Sequence, residues 1–128
     1  MQLNLPAYQF KTRKAKEGKM EIFDVFRKKF VALTAEEWVR QNFLKYLVDE
    51  KDYPKSLLLV EKGLSLNNML KRFDAVAYDQ TGKPMVLMEF KAPEVRISQK
   101  VFEQVAAYNL KLKVRYLIVS NGMVHYCC

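Results

Sequence analysis

The first third of the chain carries two strand-prone segments rich in apolar residues, separated by a polar stretch. Strand-prone segments cover residues 8–13 and 22–33, and the polar stretch Lys16–Lys19 between them carries a glycine. Polar residues with glycine between two such segments are typical of a turn. The pattern therefore predicts an N-terminal β-hairpin or a pair of edge strands.

The spacing of apolar residues changes to that of a helix after Thr34. Thr34 and Glu37 fit a capping box, in which the Glu37 side chain reaches back to the cap. The apolar residues that follow recur at helical spacing and predict a buried face, made of Trp38, Val39, Phe43, Leu44 and Leu47. Pro54 disfavours helix in the residue before it, so we expect the helix to end before Asp52.

The second half of the chain returns to strands, interrupted by one more helix. The first predicted elements are a strand at Leu57–Glu61, a turn at Lys62–Gly63, an irregular segment or brief helical turn at 64–70, and strands at 71–78 and 85–91 around a turn at 79–84. They are followed by a helix from Gln99 to about Leu112 capped by Ser98, a strand at 114–120, a turn at Asn121–Gly122 and a strand at 123–126.

This order predicts an α/β fold: a mixed β-sheet flanked by helices, with an N-terminal β-hairpin extension. The 128 residues suffice for a single domain, which we divide into the extension (1–33) and the core (34–128). Because the sequence stops within or just after its last predicted strand, we expect the core to be truncated at its C-terminus.

Composition narrows the class of protein. Half of the residues are apolar, which favours a globular domain, but the apolar runs are far shorter than the roughly 20 residues that span a bilayer. The N-terminus has no apolar signal-peptide core, so we expect a cytoplasmic protein without membrane contact. The terminal Cys127 and Cys128 are adjacent and lack metal-ligand spacing, which favours free thiols.

The chain is basic, with a net charge of +8, and this favours a polyanionic partner. Part of the charge is clustered near the N-terminus, in Lys11, Arg13, Lys14, Lys16 and Lys19, followed by Arg27, Lys28 and Lys29. Solvated strand edges and phosphate contacts both explain such runs, and the sequence leaves the two open.

Three charged residues stand on the two apolar strands before the second helix. A pairing of Tyr78 with Met85 places Asp74 opposite Glu89, and Lys91 then projects from the same face as Glu89. Opposed carboxylates repel one another unless they share a proton or bind a cation. The pattern therefore predicts an Asp-Glu-Lys cluster that binds a cation.

Carboxylate oxygens suit Mg²⁺, which takes one or two carboxylates, waters and phosphate oxygens. The backbone carbonyl of Phe90 is a further candidate ligand, and Lys91 is placed to stabilise negative charge near a metal-bound water. These parts suit hydrolysis of a phosphodiester. Taken alone, however, a Glu-x-Lys tripeptide is more often a surface ion pair of little energetic value.

Asp74 followed by Glu89-Phe90-Lys91 resembles the motif of the PD-(D/E)xK nucleases. Further segments are similar to the N-terminal nuclease domain of type I restriction enzyme R subunits, in particular its stand-alone form: Lys71–Asp74, Gly82–Pro84, Glu89–Pro93, Gln104–Asn109 and Tyr116–Gly122. The resemblance runs from about Thr34 to the C-terminus. It implies a restriction-endonuclease-like fold and Mg²⁺-dependent cleavage of DNA, with Mn²⁺ as a substitute and other restriction–modification subunits as partners.

The resemblance also implies roles for single residues. Asp74 and Glu89 become metal ligands and Lys91 the catalytic lysine. Gln104 and Tyr108 match a Gln-x-x-x-Tyr motif and are four residues apart on one helix face. The alternative for this pair is an exposed glutamine and a packed tyrosine.

Many members of the family add an acidic residue from the first helix, and Glu37 is our candidate, followed by Glu36. The capping role competes directly for Glu37. Glu61 at a strand end is another candidate carboxylate, although a strand-end ion pair explains it equally well. Phe73 replaces the proline of the motif, a tolerant position, and His125 is expected to be structural.

Two further functions compete with a nuclease: a non-catalytic nucleic-acid-binding or assembly module that keeps the fold, and a structural domain whose charged cluster is an ion-pair network. The sequence has no Gly-x-x-x-x-Gly-Lys-Ser/Thr loop, so an ATP-driven motor is not expected in this chain. The sequence gives no oligomeric state.

Overall fold

The computed structural model describes residues 2–66, 69–112 and 114–128. The helices and strands are, in chain order, β1 (Thr12–Lys14), β2 (Met20–Asp24), β3 (Lys29–Ala32), α1 (Ala35–Asp49), β4 (Leu58–Leu66), β5 (Met69–Tyr78), β6 (Pro84–Phe90), α2 (Gln99–Leu112), β7 (Tyr116–Ser120) and β8 (His125–Cys127). Neither helix has the length and apolar composition that crossing a membrane requires, as far as the described residues go.

The strands form two sheets. The smaller has the order β1-β2-β3 and is antiparallel, and the larger has the order β4-β5-β6-β7-β8. In the larger sheet β6 and β7 pair in parallel, whereas the other pairs between described strands are antiparallel; α2 lies between β6 and β7 in the chain, as a parallel connection requires. The predicted α/β fold with a mixed sheet flanked by helices is confirmed.

Buried side chains form two clusters on the larger sheet. Val39, Phe43 and Leu44 of α1 belong to a cluster with Ala75, Ala77, Met88 and Phe90. Phe102, Val105 and Ala106 of α2 pack against a cluster that holds Phe73, Val76, Leu87, Leu117 and Val119. Since Val76 and Leu87 alternate with Ala77 and Met88 along their strands, the two helices cover opposite faces of the sheet.

Both predicted helices are confirmed, with their N-caps. The Thr34 hydroxyl oxygen accepts a hydrogen bond from the Glu37 N–H at 3.0 Å, and the Ser98 hydroxyl oxygen accepts one from the Val101 N–H at 3.2 Å. The second half of the capping box is wrong. The Thr34 N–H donates to the Ala32 carbonyl, because the Glu37 carboxylate is held by arginine side chains instead.

The N-terminal extension is a three-stranded sheet rather than a hairpin. The turn at 16–19 joins β1 to β2 as predicted, but the single strand expected at 22–33 is wrong. A second turn divides it, in which the Asp24 side chain accepts from the Phe26 N–H at 2.8 Å and Lys28 takes a positive φ of 56°. An aspartate that bonds to the backbone two residues on stabilises such a turn.

The turn predicted at Lys62–Gly63 is also wrong, as is the irregular segment after it. β4 continues through Gly63, which pairs with Arg72 of β5, and ends at Leu66. The pairing with β5 satisfies the backbone and overrides the local turn signal; residues 67–68 of the segment lie outside the described part of the chain.

Register and strand ends differ slightly from the predictions. Val76 pairs with Leu87 as expected, whereas Tyr78 pairs with Pro84 rather than Met85, because an irregularity between Ala77 and Tyr78 shifts the register. The strand predicted at 114–120 begins at Tyr116, and the last one occupies His125–Cys127 rather than 123–126.

Candidate functional site

Asp74 lies where β5 stops pairing with β6. The ladder runs to the pair Ala75–Met88, and one step further its register reaches Asp74 and Glu89. At that point the Asp74 Oδ2 accepts a hydrogen bond from the Phe90 N–H at 2.7 Å. A side chain thus replaces the ladder at the end of the strand pair, and it fixes the Asp74 carboxylate beside the backbone that joins Glu89 to Lys91.

The alternation of faces also changes at Asp74. Phe73 belongs to the cluster on the α2 side, although Ala75, two residues on, belongs to the cluster on the α1 side. Residues two apart in a regular strand share a face. The strand is therefore irregular at Asp74, where the half-buried carboxylate meets β6.

The segment that carries Glu89 and Lys91 is held from two sides. Glu89 pairs with Val119 of β7, and the Lys91 N–H donates to the Ser120 carbonyl at 2.9 Å. Phe90 between them is buried against Phe43 of α1, with ring centroids 5.4 Å apart. Glu89 and Lys91 are half-buried. The backbones of Asp74, Glu89 and Lys91 therefore meet at one position of the larger sheet.

A cavity of about 460 Å³ opens beside Asp74 and Phe90, between the smaller sheet, the start of α1 and β4. Its acidic lining comprises Glu36, Glu37, Glu61 and Asp74, and Arg27 and Arg40 supply the positive charge. Phe90 also lines the cavity, whereas its neighbours Glu89 and Lys91 do not. The structure thus brings all three candidate acids of the first helix and β4 to the Asp74 cavity.

Glu37 is buried and fully engaged by neighbouring donors. Its carboxylate accepts from the Arg27 Nη2 at 2.6 Å, from the Gln41 Nε2 at 2.9 Å and from the Arg40 Nε at 3.1 Å. Burial alone would raise the pKa of the Glu37 carboxyl, but the hydrogen bonds and charges of these partners outweigh burial and hold the pKa below its ordinary value. Glu37 is therefore ionised and matched by two guanidinium groups.

The ion pairs continue into the smaller sheet. Arg27 also bonds to the Asp24 carboxylate, which is fully buried, and its Nη1 lies 3.2 Å from Glu61 Oε2. Glu61 in turn pairs with Arg72 at 2.9 Å. Burial alone would lower the pKa of the Arg27 guanidinium, but the hydrogen bonds and charges of Asp24 and Glu37 together outweigh it and raise the pKa.

Arg40 connects this network to the candidate metal ligand. Its Nη1 donates to the Asp74 backbone carbonyl at 3.3 Å, and its Nη2 bonds to Glu37. Sequence reasoning missed Arg27 and Arg40. The i,i+3 spacing of Glu37 and Arg40 on one helix is a signal that predicts their pairing, whereas nothing local links Arg27 to α1.

Metal ligation in this cavity rests on few donors. Among the residues that the structure describes, no group of three or more His, Cys, Asp or Glu side chains is arranged to hold a metal ion. Mg²⁺ requires only one or two carboxylates beside waters and phosphate oxygens. Asp74, Glu89 and the Phe90 carbonyl supply oxygens of the required kind, so the donor chemistry fits this ion.

The remaining predicted site residues lie elsewhere. Gln104 is exposed on α2, the helix that covers the opposite face from α1, and the Tyr108 side chain lies outside the described part of the chain. His125 makes contacts typical of a structural residue: its ring nitrogens lie 2.7 Å from the Ser120 hydroxyl oxygen and 2.9 Å from the Asn4 carbonyl oxygen. Cys127 and Cys128 are free and exposed.

The fold is an α/β domain in which the β5–β6 strand pair ends at Asp74, whose carboxylate accepts a hydrogen bond from the backbone between Glu89 and Lys91. Comparison with known families matches residues 35–128 to the family described as type I restriction enzyme R protein N terminus. The chain belongs to this family, which places it in the context of restriction–modification and endonucleases. A search of the curated proteins found no match.

Proposed function

We propose that this domain is a metal-dependent DNA endonuclease of the PD-(D/E)xK type, and that it cleaves phosphodiester bonds where Asp74 of β5 meets the Glu89–Lys91 segment. The observation that carries the proposal is the hydrogen bond of 2.7 Å from the Phe90 N–H to the Asp74 carboxylate. It joins the acid of one strand to the Glu-Phe-Lys segment of the next. Family membership supports DNA as the substrate.

Asp74, Glu89 and the Phe90 carbonyl would hold Mg²⁺, for which Mn²⁺ would substitute. A bound divalent ion supplies a water of lowered pKa and charge stabilisation at the phosphate. The protein's part is to fix the donors. The Phe90 N–H orients Asp74, and β7 holds the backbone at Glu89 and Lys91.

Lys91 is the proposed catalytic lysine. It follows directly on β6, and its backbone is anchored to Ser120, so its side chain starts from a fixed point next to the carboxylates. A cation at this point stabilises the negative charge that develops on the phosphate oxygens. Gln104 and Tyr108 are proposed to contact the DNA backbone from α2, and Gln104 is exposed as this role requires.

Nicking of supercoiled plasmid tests this function. The wild-type protein should nick or cut the plasmid with Mg²⁺ or Mn²⁺ and not with EDTA. Asp74→Asn and Lys91→Gln should abolish cleavage, since each removes a group that acts on the reacting atoms. The matched controls, Asp52→Asn and Lys83→Gln, change exposed residues away from the cavity and should cut like the wild type.

Metal binding provides a second readout that does not depend on cleavage. Calorimetric titration with Mn²⁺ should show heat in the wild type that disappears in Asp74→Asn. Cleavage that survives Asp74→Asn or Lys91→Gln in pure preparations would refute the site. Salt-dependent DNA binding with no metal binding would support the non-catalytic module instead.

A further inference from the structure

The smaller sheet carries a basic surface on the side turned away from the core. Ile22 and Asp24 of β2 are fully buried, so the residues that alternate with them face outward. Glu21 pairs with Arg13 of β1 and with Ala32 of β3 in the ladder. Arg13 and Ala32 therefore lie on the outward face, on either side of Glu21.

The position of Arg13 on this face is fixed by its neighbours. Its guanidinium carbon lies 4.0 Å from the centroid of the Phe30 ring, and its Nε bonds to Glu21 at 2.7 Å. The side chain nevertheless remains 56% exposed. A guanidinium that is held in place and open to solvent loses little conformational entropy when it binds an anion.

A surface depression of about 600 Å³ extends from Arg13 along the β1–β2 turn. We call it the basic depression; its lining residues include Arg13, Lys14, Lys16, Lys19 and Ala32. The three lysines are exposed. Residues 1–34 contain eight Lys and Arg against three Asp and Glu, a net +5 of the chain's +8. Two of those acids, Glu21 and Asp24, are already paired with arginines, so the charge that remains for a partner is positive.

The basic depression adjoins the Asp74 cavity, because Ala32 of β3 lines both. Val31, next to it, also lines the cavity, and Arg27 of the same sheet reaches into it. The basic depression and the Asp74 cavity therefore meet at Ala32. The family match begins at residue 35, after this sheet.

We infer that the basic depression is a binding subsite for the sugar-phosphate backbone of DNA, which it guides into the Asp74 cavity. The inference rests on the proposed function for the identity of its ligand. Phosphate contacts dominate DNA affinity without reading sequence, and each contact adds to the salt dependence of binding.

The test measures DNA binding without metal, so that it does not depend on cleavage. The variant Lys14→Gln/Lys16→Gln/Lys19→Gln removes three exposed cations, none of which makes an ion pair or hydrogen bond within the described residues. The matched control Lys51→Gln/Lys55→Gln/Lys83→Gln removes three exposed cations elsewhere. Fluorescence anisotropy with a 20-base-pair duplex in EDTA, at several salt concentrations, gives Kd and its salt slope.

The triple variant should bind DNA at least about tenfold more weakly than the control at low salt, and its salt slope should fall by about 2–3, close to 0.9 per lost contact. Equal Kd and slope in the two variants would overturn the inference, as would a wild-type protein that does not bind the duplex. Vesicles of anionic phosphatidylserine are tested in parallel. If the triple variant loses binding to these vesicles but not to DNA, the surface is a membrane-binding surface and the inference is also overturned.

Two comparisons separate this inference from the proposed function. Wild-type binding that depends on Lys14, Lys16 and Lys19, together with no cleavage under any metal, would refute the nuclease and leave the subsite standing. A triple variant that cleaves the plasmid and binds the duplex with the wild-type Kd would refute the subsite and leave the nuclease standing. Urea unfolding of each variant checks that the sheet is intact.

Discussion

Arg27 pairs with Asp24 of the smaller sheet and with Glu37 of α1. Its removal should therefore destabilise the protein strongly. The Arg27→Met change keeps a side chain of similar length and removes the guanidinium. The fully buried Asp24 carboxylate then loses its cation and keeps only the hydrogen bond from the Phe26 N–H among its described side-chain partners. Glu37 keeps Arg40 and Gln41 as partners, so the cost falls mainly on Asp24.

The magnitude follows from the geometry. The Arg27–Glu37 pair at 2.6 Å gives the scale for the neighbouring Arg27–Asp24 pair: Coulomb attraction at an effective dielectric of about 20 is roughly 6 kcal/mol. Desolvation of each buried ion offsets several kcal/mol of this, and breaking a buried pair on one side costs about 3–5 kcal/mol in measured cases. We therefore expect the free energy of unfolding to fall by about 3–5 kcal/mol.

Urea unfolding followed by circular dichroism measures this loss. Lys45→Met is the control, because it breaks the exposed helix pair Lys45–Asp49, whose side chains are 38% and 41% exposed; it should cost less than about 1 kcal/mol. The double variant Asp24→Asn/Arg27→Met should be less destabilised than Arg27→Met, since no unmatched buried charge remains. A loss for Arg27→Met no greater than that of the control would refute the reasoning.

Three further changes test other parts of the fold. Gly122→Ala should lower the free energy of unfolding by about 1–3 kcal/mol, because φ is +84° and the new Cβ would lie 2.8 Å from Leu3 Cδ2, whereas Gly63→Ala meets no atom within 4 Å and should be close to neutral in the same urea assay. Asn121→Ala removes the side-chain oxygen that accepts from the Met123 and Val124 N–H groups, and it removes the hydrogen bond of 2.9 Å that the side-chain amide donates to the Val95 carbonyl. Because the site is buried, thermal unfolding should show that the free energy of unfolding falls by about 2–3 kcal/mol. Because folding lowers the pKa of Glu37, this group contributes stability that is fully present above its unfolded pKa of about 4.3 and is lost as the pH falls through its folded pKa. The free energy of unfolding should therefore drop below about pH 4.3, and it should drop by less in Arg40→Met. A drop of equal size in the wild type and in Arg40→Met would contradict this.

The elements that the sequence predicts well are those set by local chemistry. α1 and α2 follow from helical spacing and from hydroxyl caps at Thr34 and Ser98, and all of these signals lie within a few residues. The pairing of β5 with β6 follows from the short turn between them, which fixes the register at Val76–Leu87.

The features that the sequence did not predict depend on contacts between distant segments. Gly63 looks like a turn residue until β5 pairs with it. Glu37 fits a capping box, but Arg27, ten residues earlier in another element, supplies a stronger partner than the cap N–H. Residues 22–33 look like one continuous strand in the sequence, because the turn that divides them depends on a hydrogen bond that the Asp24 side chain accepts from the Phe26 N–H.

The role of Glu37 depends on the segment that precedes the family match. Residues 35–128 contain Glu37, Glu61 and Asp74, but Arg27, Val31 and Ala32, which complete the lining of the cavity, come from the smaller sheet. Arg27 holds the charge of Glu37 and approaches Glu61, and a carboxylate matched by two guanidinium groups is a poor ligand for a cation. Because Arg27 and Arg40 already bond to Glu37, the proposed chemistry rests on Asp74 and Glu89 as its carboxylates.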